Sequence, residues 1–273
     1  MATRTPTWPT GRRGLARQAE ALCRRVAPDV ATGPFYVVLR PDLPAEYQGG
    51  DGGALALTSR HLDLMLRPTL ERQRRWRGRG PAILLDAAEI AAHSAARIRP
   101  ARQRAFPAVA TGVVLHEIAH IINAGPRDDA EPDAGLVQFG RLVLAADLTG
   151  KIDATNGPNA DKPWHGHEAP FIRIALHLAY RADALGYAVP TIGVFDAAMY
   201  GLSATYEYVA ALGNEPERLA DRPVTTISRV PPPSAFSELW DADVRAWSAK
   251  STNSDDVSAA LAAGDRRNLI PQA

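Results

Sequence analysis

The chain has 273 residues, 46% hydrophobic and 22% charged, and a formal net charge of +1. That composition gives a globular domain with a full core; it excludes a disordered polyelectrolyte and any long-range attraction to nucleic acid or acidic lipid by total charge. The single cysteine, Cys23, excludes an intrachain disulfide and a cysteine-based structural zinc site. Lysine occurs only at positions 151, 162 and 250, and the arginine excess beside abundant alanine reads as coding bias. No run of 18 apolar residues marks a membrane span, and no apolar stretch follows Arg4, Arg12 and Arg13 as a secretory signal requires, so a cytoplasmic protein is expected.

In chain order, residues 1–13 are dominated by Thr, Pro, Gly and Arg and are predicted to be disordered. Residues 14–26 form an amphipathic helix. FYVVL at 35–39 is a strand, rich in aromatic and β-branched residues. Residues 41–54 are a loop, 60–76 a helix, AILL at 82–85 a second strand and 87–97 another helix. The strongest helix is 107–123, PAVATGVVLHEIAHIIN, opened by Pro107 and stopped by Gly125-Pro126. Further helices are predicted at 136–148, 170–185, 191–212 and 234–249, with a helical turn at 215–220. Residues 149–169 are a loop and 251–273 a flexible tail. The expected fold is α+β and mostly helical, a single catalytic domain over 14–250.

The chemistry is concentrated in His116-Glu117-Ile118-Ala119-His120. Residues four apart share one helical face, so His116 and His120 can aim two imidazoles at one metal ion. Glu117 is turned about 100° from His116, within reach of a water at the metal but not of the metal itself. Zinc lowers the pKa of such a water, and the carboxylate takes its proton as the water attacks a carbonyl. The neighbours Val113, Val114, Leu115, Ile118, Ile121 and Ile122 make this helix apolar nearly all round, hence buried. Two histidines and a carboxylate in such a helix are costly unless something pairs with them, and a metal would. The motif HExxH resembles the zincin metallopeptidases. That resemblance implies a Zn2+ cofactor and a small sheet packed on the active-site helix.

A third protein ligand is expected. Position 126, where a third histidine would define one zincin subclass, is proline. Glu131, Asp147 and Glu207 are carboxylate candidates. The preferred one is His167, in Trp164-His165-Gly166-His167-Glu168-Ala169-Pro170-Phe171, just ahead of a predicted helix; His165 is its rival. With Phe171 four residues after His167, this segment resembles the third-ligand signature of SprT-like and WLM metallopeptidases, and implies that the helical C-terminal half delivers that ligand. His177 reads as a satisfied polar residue or a group behind the ligands, and His61 and His93 as structural.

Tyr200, Tyr206, Tyr208 and Arg173 are candidates to stabilise an oxyanion. Zincins bind extended peptide along a sheet edge, and residues 82–85 could be that edge or an interior strand. The basic run at Arg72, Arg74, Arg75, Trp76, Arg77 and Arg79 has the aromatic interleaving of a nucleic-acid contact, as does a weaker one at 97–104, but the balanced total charge favours a solvated face. The expected function is zinc-dependent peptide-bond hydrolysis, with His116, His120 and His167 as ligands and Glu117 as general base. The alternatives are hydrolysis of a non-protein amide and a non-catalytic scaffold of phage or mobile-element type, which would have no need of Glu117. A peptide or protein substrate and no membrane are the expected partners.

Overall fold

The computed structural model describes residue 8 and residues 12–47, 55–97, 102–125, 132–148, 167–189 and 203–262. Helix α1 (Arg12–Val26) places Leu15, Ala19, Leu22, Cys23 and Val26 on one buried stripe. It leads into strand β1 (Tyr36–Leu39), followed by two short 3₁₀ turns at Arg40–Asp42 and Ala45–Tyr47. Strand β2 (Ala56–Thr58), helix α2 (Leu62–Arg72) and strand β3 (Ala82–Leu85) come next. β3 lies at the centre of a three-stranded sheet, parallel to β1 and antiparallel to β2. Residues 82–85 are therefore the interior strand, and the edges are β1 and β2, of which the sequence pattern did not disclose β2.

Every residue of β1 and β3 is buried because both sheet faces are covered. The alternation is visible side chain by side chain. Val37, Leu39, Ile83 and Leu85 enter the larger core, whereas Tyr36, Val38, Ala82 and Leu84 meet Leu62, Leu66 and Leu70 of α2 on the opposite face. Helix α3 (Ala87–Arg97) starts where Asp86 accepts hydrogen bonds from the Ala88 and Glu89 amides. Asp86 also pairs with Arg40 at 3.0 Å, so adjacent parallel strands end on one buried ion pair.

The larger core is built on helix α4 (Arg102–Asn123), whose Val114, Leu115, Ile118 and Ala119 are fully buried. Its stretch Phe106–Asn123 is long and apolar enough to cross a membrane by composition, but here it is a core helix packed against α3, the sheet and α6. α4 begins five residues earlier than Pro107 suggests, so Pro107 sits inside it. The carbonyl of Pro107 accepts from Thr111 Oγ1, which in turn accepts from the indole of Trp8 at 3.0 Å. Trp8 is thus docked and buried within a segment expected to be disordered.

Helix α5 (Ala134–Leu148) covers the α2 face of the sheet, and helix α6 (Ala169–Ala184) packs across α4. Helices α7 (Thr205–Leu212) and α8 (Glu215–Arg218), a 3₁₀ helix at Val224–Arg229 and helix α9 (Ser234–Ala262) complete the chain. The first part of the helix expected at 191–212 lies outside the described residues. α9 runs 13 residues past the expected end at 249, into the segment read as a tail. The fold is α+β and mostly helical, with a helical C-terminal half.

α2 stops at Arg72, short of 76, because Arg74 turns to φ +57 and the amides of Arg75 and Trp76 fold back on the Leu70 carbonyl. The basic run that follows is tied inward. Arg72 donates to the Asp42 carbonyl, Arg75 to Glu20 and the Val37 carbonyl, and Arg79 to buried Asp63. Trp76 stacks on Tyr36 at 5.6 Å and carries the Arg67 guanidinium, which engages the indole a base would need. The side chains of the second basic run, at 97–104, lie outside the described residues.

Gly80, just ahead of β3, packs directly against the backbone of Pro34, just ahead of β1. A Cβ there would lie 1.9 Å from the backbone oxygen of Pro34. We expect Gly80→Ala to lower stability by about 1–3 kcal/mol, the usual cost of overpacking, and read as a lower melting temperature. A melting curve unchanged from the parent would show that this approach is not tight.

Candidate metal centre

α4 crosses the core with one face turned to a cleft of about 990 Å³. The floor is formed by His116, Glu117, His120 and the C-terminal turn of the helix. One wall is β2 with the following Ser59 and Arg60. The other is the 3₁₀ helix at Val224–Arg229 with Asp29 beneath it. These walls are linked to the core by specific bonds: the Asp29 carboxylate accepts from both the amide and the hydroxyl of Thr225, at 2.9 and 2.6 Å.

The helical i, i+4 relation brings His116 Nε2 and His120 Nε2 to 3.1 Å. His167, two residues ahead of α6, places its Nε2 also 3.1 Å from His116 Nε2. All three nitrogens lie within 4.8 Å of one another. Two imidazole ligands about 2.0–2.1 Å from one tetrahedral ion must have nitrogens about 3.3 Å apart. The two separations from His116 Nε2, 3.1 Å each, come close to that value.

Mutual hydrogen bonding is a poorer account. A neutral imidazole nitrogen either donates once or accepts once, and His116 Nε2 faces two other ring nitrogens at bonding distance. An ion at their meeting point satisfies all three lone pairs. A set of three imidazole nitrogens is of the kind that zinc accepts.

Phe171 explains why the rings hold this arrangement. It is fully buried, and its ring centroid lies 5.0, 4.4 and 4.7 Å from those of His116, His120 and His167. An aromatic one helical turn after His167 therefore forms a common backing for all three imidazoles. In sequence it was visible only as part of the resemblance.

Glu117 lines the same cleft and is buried among apolar groups, which raises its pKa to about 8. Burial, and then the neighbouring His116 and His167, depress His120 to about 3, so it is held in the neutral, metal-binding form.

The remaining candidates take other roles. Glu207 accepts the Ala204 amide and caps α7. Tyr208 is buried and donates to Asp243, and Tyr206 is exposed outside the cleft. Arg173 donates to Glu215 at 2.8 Å and to the carbonyls of Val230 and Pro231. His177 is fully buried and bonds the same Glu215 oxygen at 2.7 Å. Burial lowers its pKa against the pull of Glu215, so as a neutral ring it donates that proton. Glu215 escaped the sequence reading because nothing in its local pattern signals a buried ion pair 42 residues from its partner. Glu131, His165 and Tyr200, and the side chain of Asp147, lie outside the described residues. Comparison with protein-family models, curated proteins and solved structures finds no match to this chain.

The two titrating groups give opposite signatures in metal-free protein. His120 gains its proton near pH 6.5 when unfolded but only near 3 when folded. Its contribution to stability is intact above about 6.5 and is lost as the pH falls towards 3. Glu117 loses its proton near 4.5 when unfolded but near 8 when folded. Its contribution is intact below about 4.5 and is lost as the pH rises towards 8. We expect metal-free Glu117→Gln to match the parent in denaturant midpoint near pH 4 and to exceed it increasingly up to about pH 8. Parallel pH profiles would show that Glu117 is not desolvated as described.

Proposed function

We propose that this protein is a zinc-dependent hydrolase of zincin type that cleaves peptide bonds. The observation that carries the reading is the convergence of His116, His120 and His167 Nε2 beside buried Glu117 on the floor of an open cleft. The resemblance of HEIAH and the His167–Phe171 segment to metallopeptidases agrees with it.

In this reading His116 and His120 would hold the ion from α4 and His167 from the segment just ahead of α6. The ion supplies a Lewis acid that acidifies water and polarises a carbonyl, and its charge draws down the pKa of the nearby carboxylate. Glu117, one residue round the helix from His116, takes the proton of the attacking water at its carboxylate. It then delivers that proton to the departing amine. Phe171 does no chemistry; it holds the ligand rings in place. The edge strand β2 lines the cleft through Ala56, Leu57 and Thr58, and a sheet edge in that place suits an extended peptide laid alongside as a further strand. Such an edge reads main chain, which favours peptides over other amides.

The test separates metal binding from proton transfer. Glu117→Gln should keep about one zinc per chain and the parent's fold while losing about 10²–10⁴-fold in peptide hydrolysis. His167→Ala should lose zinc affinity and hydrolysis together. The measurements are elemental analysis and a broad peptide-cleavage screen. A Glu117→Gln protein that cleaves as well as the parent, or a His167→Ala protein with undiminished zinc, would overturn the assignment.

A further inference from the structure

Among the described residues, the charged side chains lining the cleft are Asp29, Arg60, Glu117 and Arg229. Both carboxylates are turned into the protein. Glu117 sits in the floor beside the histidines, and Asp29 has Oδ2 held by Thr225 and Oδ1 buried without a hydrogen-bond partner. Arg229, at the end of the Val224–Arg229 3₁₀ helix, is exposed, and among the described residues its guanidinium has no hydrogen bond or ion pair. Arg60 enters from the opposite segment, directly after β2, and reaches the Ala124 carbonyl at 3.4 Å, at the C-terminal end of α4. Among the described residues, the exposed charged groups of the lining are thus the two arginines, one on each wall, and an anionic substrate side chain would meet a guanidinium on either side.

We propose that the cleft selects peptides bearing a carboxylate near the scissile bond, with Arg229 as the principal specificity-determining residue and Arg60 supporting it from the other wall. This rests on the peptide-hydrolase reading above and adds the charge class of its substrate. The arginine fork accepts a carboxylate through two parallel hydrogen bonds, and an acidic side chain or a chain-terminal carboxylate presents the same group. A lysine in the same place is repelled.

The test is binding, so that it does not depend on turnover. Zinc-loaded full-length Glu117→Gln protein would be titrated with labelled peptides identical except for one central Glu, Gln or Lys, each with a free or an amidated C-terminus. Fluorescence anisotropy would report affinity. We expect a carboxylate to improve affinity about five- to tenfold over its amide counterpart. Tighter binding of Glu peptides whatever their C-terminus identifies a side-chain carboxylate as the ligand. A gain confined to free C-termini identifies the terminal one. Adding Arg229→Gln should remove the discrimination and Arg229→Glu should turn it towards Lys. Arg245→Gln, on the exposed side of α9 and outside the cleft, should change nothing. Equal affinity for all peptides, no binding of any, or discrimination that survives Arg229→Gln would overturn the proposal. Charge-selective binding in a protein whose parent cleaves no peptide would sink the peptidase reading alone. Cleavage without charge selection would sink only this inference.

Discussion

The site depends on one contact, the packing of α6 across α4. Both helices are buried where they meet, with Ile118, Ala119 and Ile122 on one and Phe171, Ile174 and Ala175 on the other. Dispersion and water exclusion at such a crossing position side chains far more firmly than any loop could. His116 and His120 are brought together by helix geometry alone. His167 joins them only because α6 starts at this crossing and Phe171 seats its first turn against the rings. Removing the packing would leave two histidines together and a misplaced third.

α6 also builds the cleft's far wall. Arg173 anchors Glu215 and the Val230 and Pro231 carbonyls. Arg181, further along the same helix, donates to the carbonyls of Val26, Leu219 and Arg222. The segment carrying Thr225, Ser228 and Arg229 is therefore held by two arginines on the helix that follows the third histidine. Ligand placement and cleft shape are coupled through a single element. The sheet serves the opposite wall: β3 takes the buried centre, leaving β2 as the edge over the α4 floor.

What could be read from the sequence follows from how local each signal is. The HExxH helix, the strands at 35–39 and 82–85 and the helix after His167 are encoded by short-range periodicity, and all four appear at nearly the expected bounds. The placement of His167 beside His116 required a resemblance as well, since a separation of 51 residues along the chain carries no geometric instruction. Three features were not legible. β2 is three residues long and only half-buried, so it leaves no alternation to detect. Trp8 is held by a tertiary bond to Thr111, which outweighs a disorder-prone composition. Glu215 acquires its role from Arg173 and His177, both distant in the chain. The basic run at Arg72–Arg79 shows the reverse: a conspicuous pattern whose arginines largely serve to fasten a turn.

The central claim is that three imidazoles, and no other protein group, hold one zinc ion on the cleft floor. Zinc-edge X-ray absorption on protein loaded with one equivalent of zinc tests it most directly. The account predicts a first shell of nitrogen and oxygen at about 2.0–2.1 Å, with the outer-shell scattering of three imidazole rings. A shell containing sulfur at about 2.3 Å, or scattering from fewer than three imidazoles, would contradict it.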